Sequence, residues 1–210
     1  MKEQGIVGRA ELKLAGAVEA FSYDFRGKTV LDIGSSTGGF TEFALRKGAT
    51  RVIAIEKGTN QMKAPLRFDE RVDLHEKTDF LVVNRRQDRA DRQGRNEVEL
   101  VNAIQVDLSQ VGTVVADVSF ISLRKILAHA RRVVPRRADY LVMLKPQFEA
   151  YPDQLVNGVV KNERMRRGIL REFEGWVQRN GFLVVAKRDN EVVGKRGGNV
   201  ERFYWLKVKP

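Results

Sequence analysis

The sequence predicts an α/β fold, a parallel sheet covered by helices on both faces, and three observations carry that expectation. Strand-like and helix-like segments alternate along the 210 residues. The strand-like runs are short and almost continuously apolar, as in Val114-Val115-Ala116, which suits strands buried on both faces. A glycine-rich turn, Gly34-Ser35-Ser36-Thr37-Gly38-Gly39, joins the first strand-like run to a helix-like one.

The elements follow in order. Strands are expected over 28–33, 51–56, 71–76, 113–118, 140–144, 182–187 and 200–208, and helices over 10–21, 39–47, 122–134 and 163–180. The last helix places Ile169, Leu170, Phe173, Trp176 and Val177 close to helical spacing, and Gly181 stops it. The segment 84–99 has almost nothing to bury and reads as a solvated excursion within one domain spanning 1–210. Its arginines (Arg85, Arg86, Arg89, Arg92, Arg95) are offset by Asp88, Asp91, Glu97 and Glu99, so an RNA contact there competes with a plain solvated loop.

Composition narrows the function. Thirty-eight Lys and Arg against 27 Asp and Glu leave a net charge of +11, which favours a polyanionic partner, nucleic acid before an anionic membrane. With no cysteine and two histidines, thiolate metal sites, cysteine nucleophiles and serine–histidine triads are set aside, and no metal site is expected. No apolar run reaches membrane-spanning length and no signal-peptide pattern opens the chain, so the expected compartment is the cytoplasm.

The glycine turn points to a cofactor. Its spacing is neither the dinucleotide-binding G-x-G-x-x-G nor a P-loop with its lysine, so no phosphate site is demanded. The second strand-like run ends in Glu56, where a carboxylate accepts hydrogen bonds from ribose hydroxyls. A ligand with a ribose and an amino acid but no phosphate fits, and S-adenosylmethionine is such a ligand. The expected contacts are Asp32, Gly34, Ser35, Ser36, Thr37, Gly38, Gly39, Phe40, Glu56 and Asp117. A purely structural strand–turn–helix corner is the competing reading.

Four further segments stand out: Arg9-Ala-Glu-Leu-Lys13, Asp117-Val-Ser-Phe-Ile-Ser-Leu123, Lys145-Pro-Gln-Phe-Glu149 and Gly198-Asn-Val-Glu201. With the glycine turn, they resemble the TlyA family of ribosomal RNA ribose methyltransferases, often labelled hemolysins, within the FtsJ-like group. The resemblance runs from about Arg9 to Leu206. It implies a Rossmann-like class I methyltransferase with a mostly parallel seven-stranded sheet and a reversed edge hairpin. It also implies 2′-O-methylation of ribosomal RNA, at cytidine, by a catalytic tetrad that maps onto Lys13, Asp117, Lys145 and Glu201.

The chemistry suits those residue types. A ribose hydroxyl is a poor nucleophile until its proton is removed or polarised. A lysine serves as base only when neutral, a form that burial and a second cation favour and that carboxylates oppose. Phe120, Phe148 and Tyr151 are candidates for stacking on a base, with loop packing as the alternative. The family usually begins with a small RNA-binding domain, and this sequence starts almost at the methyltransferase module. Lys57-Gly-Thr-Asn-Gln61 also departs from the family pattern. Two other classes compete, a non-catalytic RNA-binding or ribosome-assembly module and a hemolysin-like membrane-active protein.

Overall fold

The seven predicted strands join into one sheet in the computed structural model, which describes residues 8–85, 104–190 and 198–210. In chain order they are β1 (Thr29–Ile33), β2 (Arg51–Ile55), β3 (Val72–His75), β6 (Val111–Ala116), β7 (Asp139–Leu144), β10 (Phe182–Asp189) and β11 (Arg202–Val208). Across the sheet the order is β10-β11-β7-β6-β1-β2-β3. Neighbours from β3 through β7 pair in parallel, whereas β11 is antiparallel to both β7 and β10. The reversal is thus confined to β11, and β10 at the edge points the same way as the rest.

The strand alternation sorts the core into two halves, because successive side chains point to opposite faces. Leu31, Ile33, Val114, Tyr140 and Val142 face one way, against α3 (Leu123–Val133) and α4 (Glu163–Arg179). Val30, Val52, Val115, Leu141 and Phe203 face the other, against α1 (Arg9–Phe21) and α2 (Gly39–Arg46). The expected helices on both faces are therefore present. Ile169, Leu170, Phe173 and Val177 of α4 are all buried, and each such side chain contributes about 1.5–3 kcal/mol.

Two small pairings were not legible in the sequence. β4 (Val83–Arg85) lies parallel to β5 (Ile104–Val106), and β8 (Leu155–Val156) forms a hairpin with β9 (Val159–Val160). Strands of two or three residues carry no measurable alternation. The predicted 84–99 excursion begins within β4, and its residues 86–99 lie outside the described residues. His129, given no role by the sequence, donates from Nε2 to the Val83 carbonyl at 2.8 Å and so ties α3 to β4.

The topology also fixes where a ligand belongs. From β1 the chain moves to β2 and β3 on one side, then returns to β6 and β7 on the other. The crevice outside the carboxyl ends of β1 and β6 is the switch point at which open α/β sheets bind ligands.

Candidate functional site

The glycine turn leaves β1 at this switch point and is tied to β2 by backbone. The N–H groups of Gly34 and Ser35 both donate to the Ile55 carbonyl, at 2.8 and 3.2 Å. Gly34 (φ +80°) and Gly38 (φ +95°) occupy the left-handed region, where a side chain is strained. At Gly38 an added Cβ would also overlap Leu66. The turn then enters α2 at Gly39.

Glu56, one residue past β2, is built into this turn. Its Oε2 accepts the Ser36 N–H at 2.8 Å, and its Oε1 accepts the Gly58 N–H at 2.6 Å and Gln61 Nε2 at 3.4 Å. A carboxylate has about four acceptor positions, so capacity remains on Oε2. Asp32 lies beneath the turn, 1% exposed, and its Oδ2 accepts from Thr41 Oγ1 at 2.7 Å, bracing β1 against α2. Burial pushes the Asp32 carboxyl up to about 7, with the nearby Asp117 and Glu56 charges adding to the rise.

A cavity of about 710 Å³ opens beside the turn, lined by Gly34, Ser36, Glu56, Gln61, Asp117 and Phe120 among others. Of the predicted cofactor contacts, Gly34, Ser36, Glu56 and Asp117 line it. Asp32, Ser35 and Phe40 are buried beneath it, while Gly38 and Gly39 shape the entry to α2. Thr37 instead faces a wider depression of about 1250 Å³, bordered by Arg46, Arg51 and Phe68, which contains none of the tetrad. The sequence reading passed over Gln61, Asp79 and Phe80, which also line the smaller cavity. The available signal was position, since Asp79 lies in the turn that follows β3 at the same end of the sheet as Glu56.

The four tetrad residues form two ion pairs. Lys145 Nζ lies 2.6 Å from Asp117 Oδ1, and Lys13 Nζ lies 2.7 Å from Glu201 Oε2. Sheet register explains their gathering. Asp117 and Lys145 directly follow β6 and β7, and Arg202, next to Glu201, pairs with Leu144, next to Lys145. Lys13 reaches Glu201 from α1, whose Leu14, Ala17 and Phe21 are buried against the sheet.

Lys145 and Glu201 are held by further partners that the sequence did not reveal. Lys145 Nζ also donates to Ser119 Oγ at 2.7 Å. Asn190 donates its Nδ2 to Glu201 Oε2 at 3.2 Å and its backbone N–H to the Glu201 carbonyl at 2.9 Å. Arg166, buried in α4, donates from Nε to the Val200 carbonyl at 3.0 Å and from NH2 to Asp189 at 2.6 Å. Glu149 joins the two loops carrying Lys145 and Ser119, accepting from Ser122 Oγ at 2.8 Å and the Leu123 N–H at 2.6 Å. Desolvation pushes the Glu149 carboxyl up, against the pull of these donors.

At the rim, Phe120 is 92% exposed with φ +63°, and its ring centre lies 5.3 Å from that of Phe148. Tyr151 is exposed beyond them. A large apolar side chain held in water by a left-handed backbone is expensive unless it has a use. Among the described residues no cluster of His, Asp and Glu suits a metal ion, and no helix is long and apolar enough to cross a membrane.

Comparison with known proteins identifies the family. The family model of FtsJ-like methyltransferases matches residues 6–208. The chain is 35% identical over 208 residues to the 16S/23S rRNA (cytidine-2′-O)-methyltransferase TlyA of Mycobacterium tuberculosis, covering 99% of this chain and 70% of that protein. It is 31% identical over 201 residues to the 23S rRNA (cytidine-2′-O)-methyltransferase TlyA of Campylobacter jejuni, covering 95% of this chain and 70% of that protein. A solved structure of a hemolysin-like protein from Lactococcus lactis superposes with a TM-score of 0.79 at 34% identity, over 96% of this chain and 88% of that one.

Proposed function

The chain belongs to the FtsJ-like methyltransferase family, and on that premise we propose that it methylates a ribose 2′-hydroxyl of ribosomal RNA, at cytidine, using S-adenosylmethionine. One FtsJ-like domain over 1–210 carries the reaction. The observation that carries the reading is the gathering of Lys13, Asp117, Lys145 and Glu201 as two ion pairs beside a cavity rimmed by Glu56.

The cavity suits the donor. Its volume lies within the range of small-molecule sites. Glu56 offers an acceptor to ribose hydroxyls, Gly34 and Ser36 line the wall, and the turn has no lysine for a phosphate. Asp117 completes the set, while Asp32, Ser35, Thr37, Gly38, Gly39 and Phe40 shape the turn. S-adenosylmethionine supplies a methyl group activated by a sulfonium charge, so the protein's remaining task is to position and deprotonate the acceptor.

Lys145 is suited to that task. The ion-paired ammonium of Lys145 first gives up one proton to solvent, and the amine that results has two N–H bonds and one lone pair. Asp117 Oδ1 and Ser119 Oγ lie at 2.6 and 2.7 Å, where they accept those two bonds and leave the lone pair for the 2′-hydroxyl proton. After transfer, the ammonium group stays bonded to the same two oxygens. Glu201 holds Lys13 as a second, fixed cation for the acceptor strand, and Phe120 with Phe148 offers a face on which the target base stacks.

The test is methyl transfer from radiolabelled S-adenosylmethionine to unmodified ribosomal RNA and subunits by the wild type and Lys145→Ala. Label on a ribose oxygen should fall by roughly 10²–10⁴-fold in the variant, the contribution typical of a positioned acid or base. Equal label in both would remove Lys145 as the base. Cofactor binding with no label on any RNA would instead favour a non-catalytic RNA-binding module.

A further inference from the structure

Helix α4 has two faces with different fates. Ile169, Leu170, Phe173 and Val177 are at most 2% exposed, packed against the sheet. On the opposite side Arg164, Arg167 and Arg171 are exposed at spacings of three and four residues, so they form one stripe. Lys161 stands at its upper end. None of these four cations forms an ion pair among the described residues, whereas Arg166 on the inner side meets Glu163 and Asp189.

The stripe is joined rigidly to the catalytic corner. Arg166 bonds the Val200 carbonyl, immediately before Glu201. The Lys161 N–H donates to the Gln154 carbonyl at 3.0 Å, and Gln154 is bonded to Tyr151. The arginines therefore begin beside the aromatic rim and run away from it over about 10 Å, at about 1.5 Å of rise per residue. Along that length Lys161 and the three arginines present four cations to the phosphates of one strand.

We propose that the Lys161, Arg164, Arg167 and Arg171 face of α4 is the track on which RNA flanking the target nucleotide lies, held through its phosphates. The proposal rests on the ribosomal RNA reading above and adds the surface that holds the substrate. RNA is favoured over an anionic membrane because the helix has already buried its apolar face. A surface-seated helix needs that face free to enter lipid.

The experiment compares the full chain with Arg164→Gln/Arg167→Gln/Arg171→Gln and with a control of equal charge, Lys47→Gln/Lys63→Gln/Arg132→Gln. The control removes exposed cations that lie outside α4. Affinity for unmodified ribosomal RNA is measured across a salt series, alongside S-adenosylmethionine binding and binding to phosphatidylglycerol vesicles. The stripe variant should bind RNA at least about tenfold more weakly at low salt. Its log–log salt slope should be shallower by about 2–3, the number of phosphate contacts removed. Cofactor affinity should be unchanged and the control's loss smaller.

Equal losses in stripe and control would reduce the stripe to general charge, and no loss in either would make it a solvated face. A selective loss of vesicle binding would assign it to lipid. Each of these overturns the proposal while leaving the methyltransferase reading intact. Failure of the wild type itself to bind ribosomal RNA, with cofactor binding preserved, would overturn both.

Discussion

The two halves of the crevice are built differently. The proposed cofactor half is nearly contiguous in sequence: the turn 34–39, Glu56 and Gln61 fall within 28 residues and are fastened largely by backbone N–H groups. The proposed acceptor half draws Lys13, Asp117, Lys145 and Glu201 from four segments spread over 189 positions and is fastened by charged side chains. A backbone-built site depends on conformation, so it breaks where a glycine gains a side chain. A site built from charged pairs breaks where one partner is removed and the other is left partly desolvated.

That contrast predicts separable defects. Beside the Lys145→Ala loss in turnover, with cofactor affinity preserved, Gly38→Ala should weaken S-adenosylmethionine binding by about tenfold or more. The cause is strain at φ +95° combined with overlap on Leu66. Calorimetric cofactor titration of both variants checks the separation, and a loss of cofactor binding in Lys145→Ala would abolish it.

A smaller effect is expected one layer out. Arg166→Lys keeps the charge but gives up the planar fork that reaches Val200 and Asp189 together. Turnover should fall several-fold, by about 1 kcal/mol for one hydrogen bond, while cofactor affinity holds. Combined with Glu201→Gln the two losses should not add, since Arg166 acts through Glu201. Simple additivity would show that Arg166 serves the fold alone.

The smallest effect concerns the foundation of the cofactor half. Asp32 is raised to about 7 in the folded chain from an ordinary carboxyl value, so the folded state binds the extra proton between those limits. Its contribution is fully present below the ordinary value and is lost as pH rises through about 7. Melting temperature should therefore drop between pH 5 and 8 by on the order of a few degrees. Asp32→Asn should flatten that drop, and an unchanged profile would exclude Asp32 as its source.

Much of this was legible beforehand. Every strand of the main sheet and every described α-helix falls within a few residues of its expected place, because apolar alternation and helical spacing are local properties. The reversed β11 entered only through the family resemblance. The β4–β5 pair and the β8–β9 hairpin escaped, being too short to show a period. At the site, the four charged residues were legible as distinctive segments, but their pairing was not. Nor were Ser119, Asn190 and Arg166, whose partners lie 26, 11 and 34 residues away.

The sequence alone thus determined the kinds of groups present and the strand ends that present them, since residue type and periodicity are written locally. Only the tertiary structure decided that Lys145 faces Asp117 while Lys13 faces Glu201, and that Asp32 lies under the turn and not in the cavity. It also decided which face of α4 is buried and which stands open with arginines that form no ion pair among the described residues. Those outcomes depend on sheet order, register and the direction of β11, which bring together groups that no spacing along the chain connects.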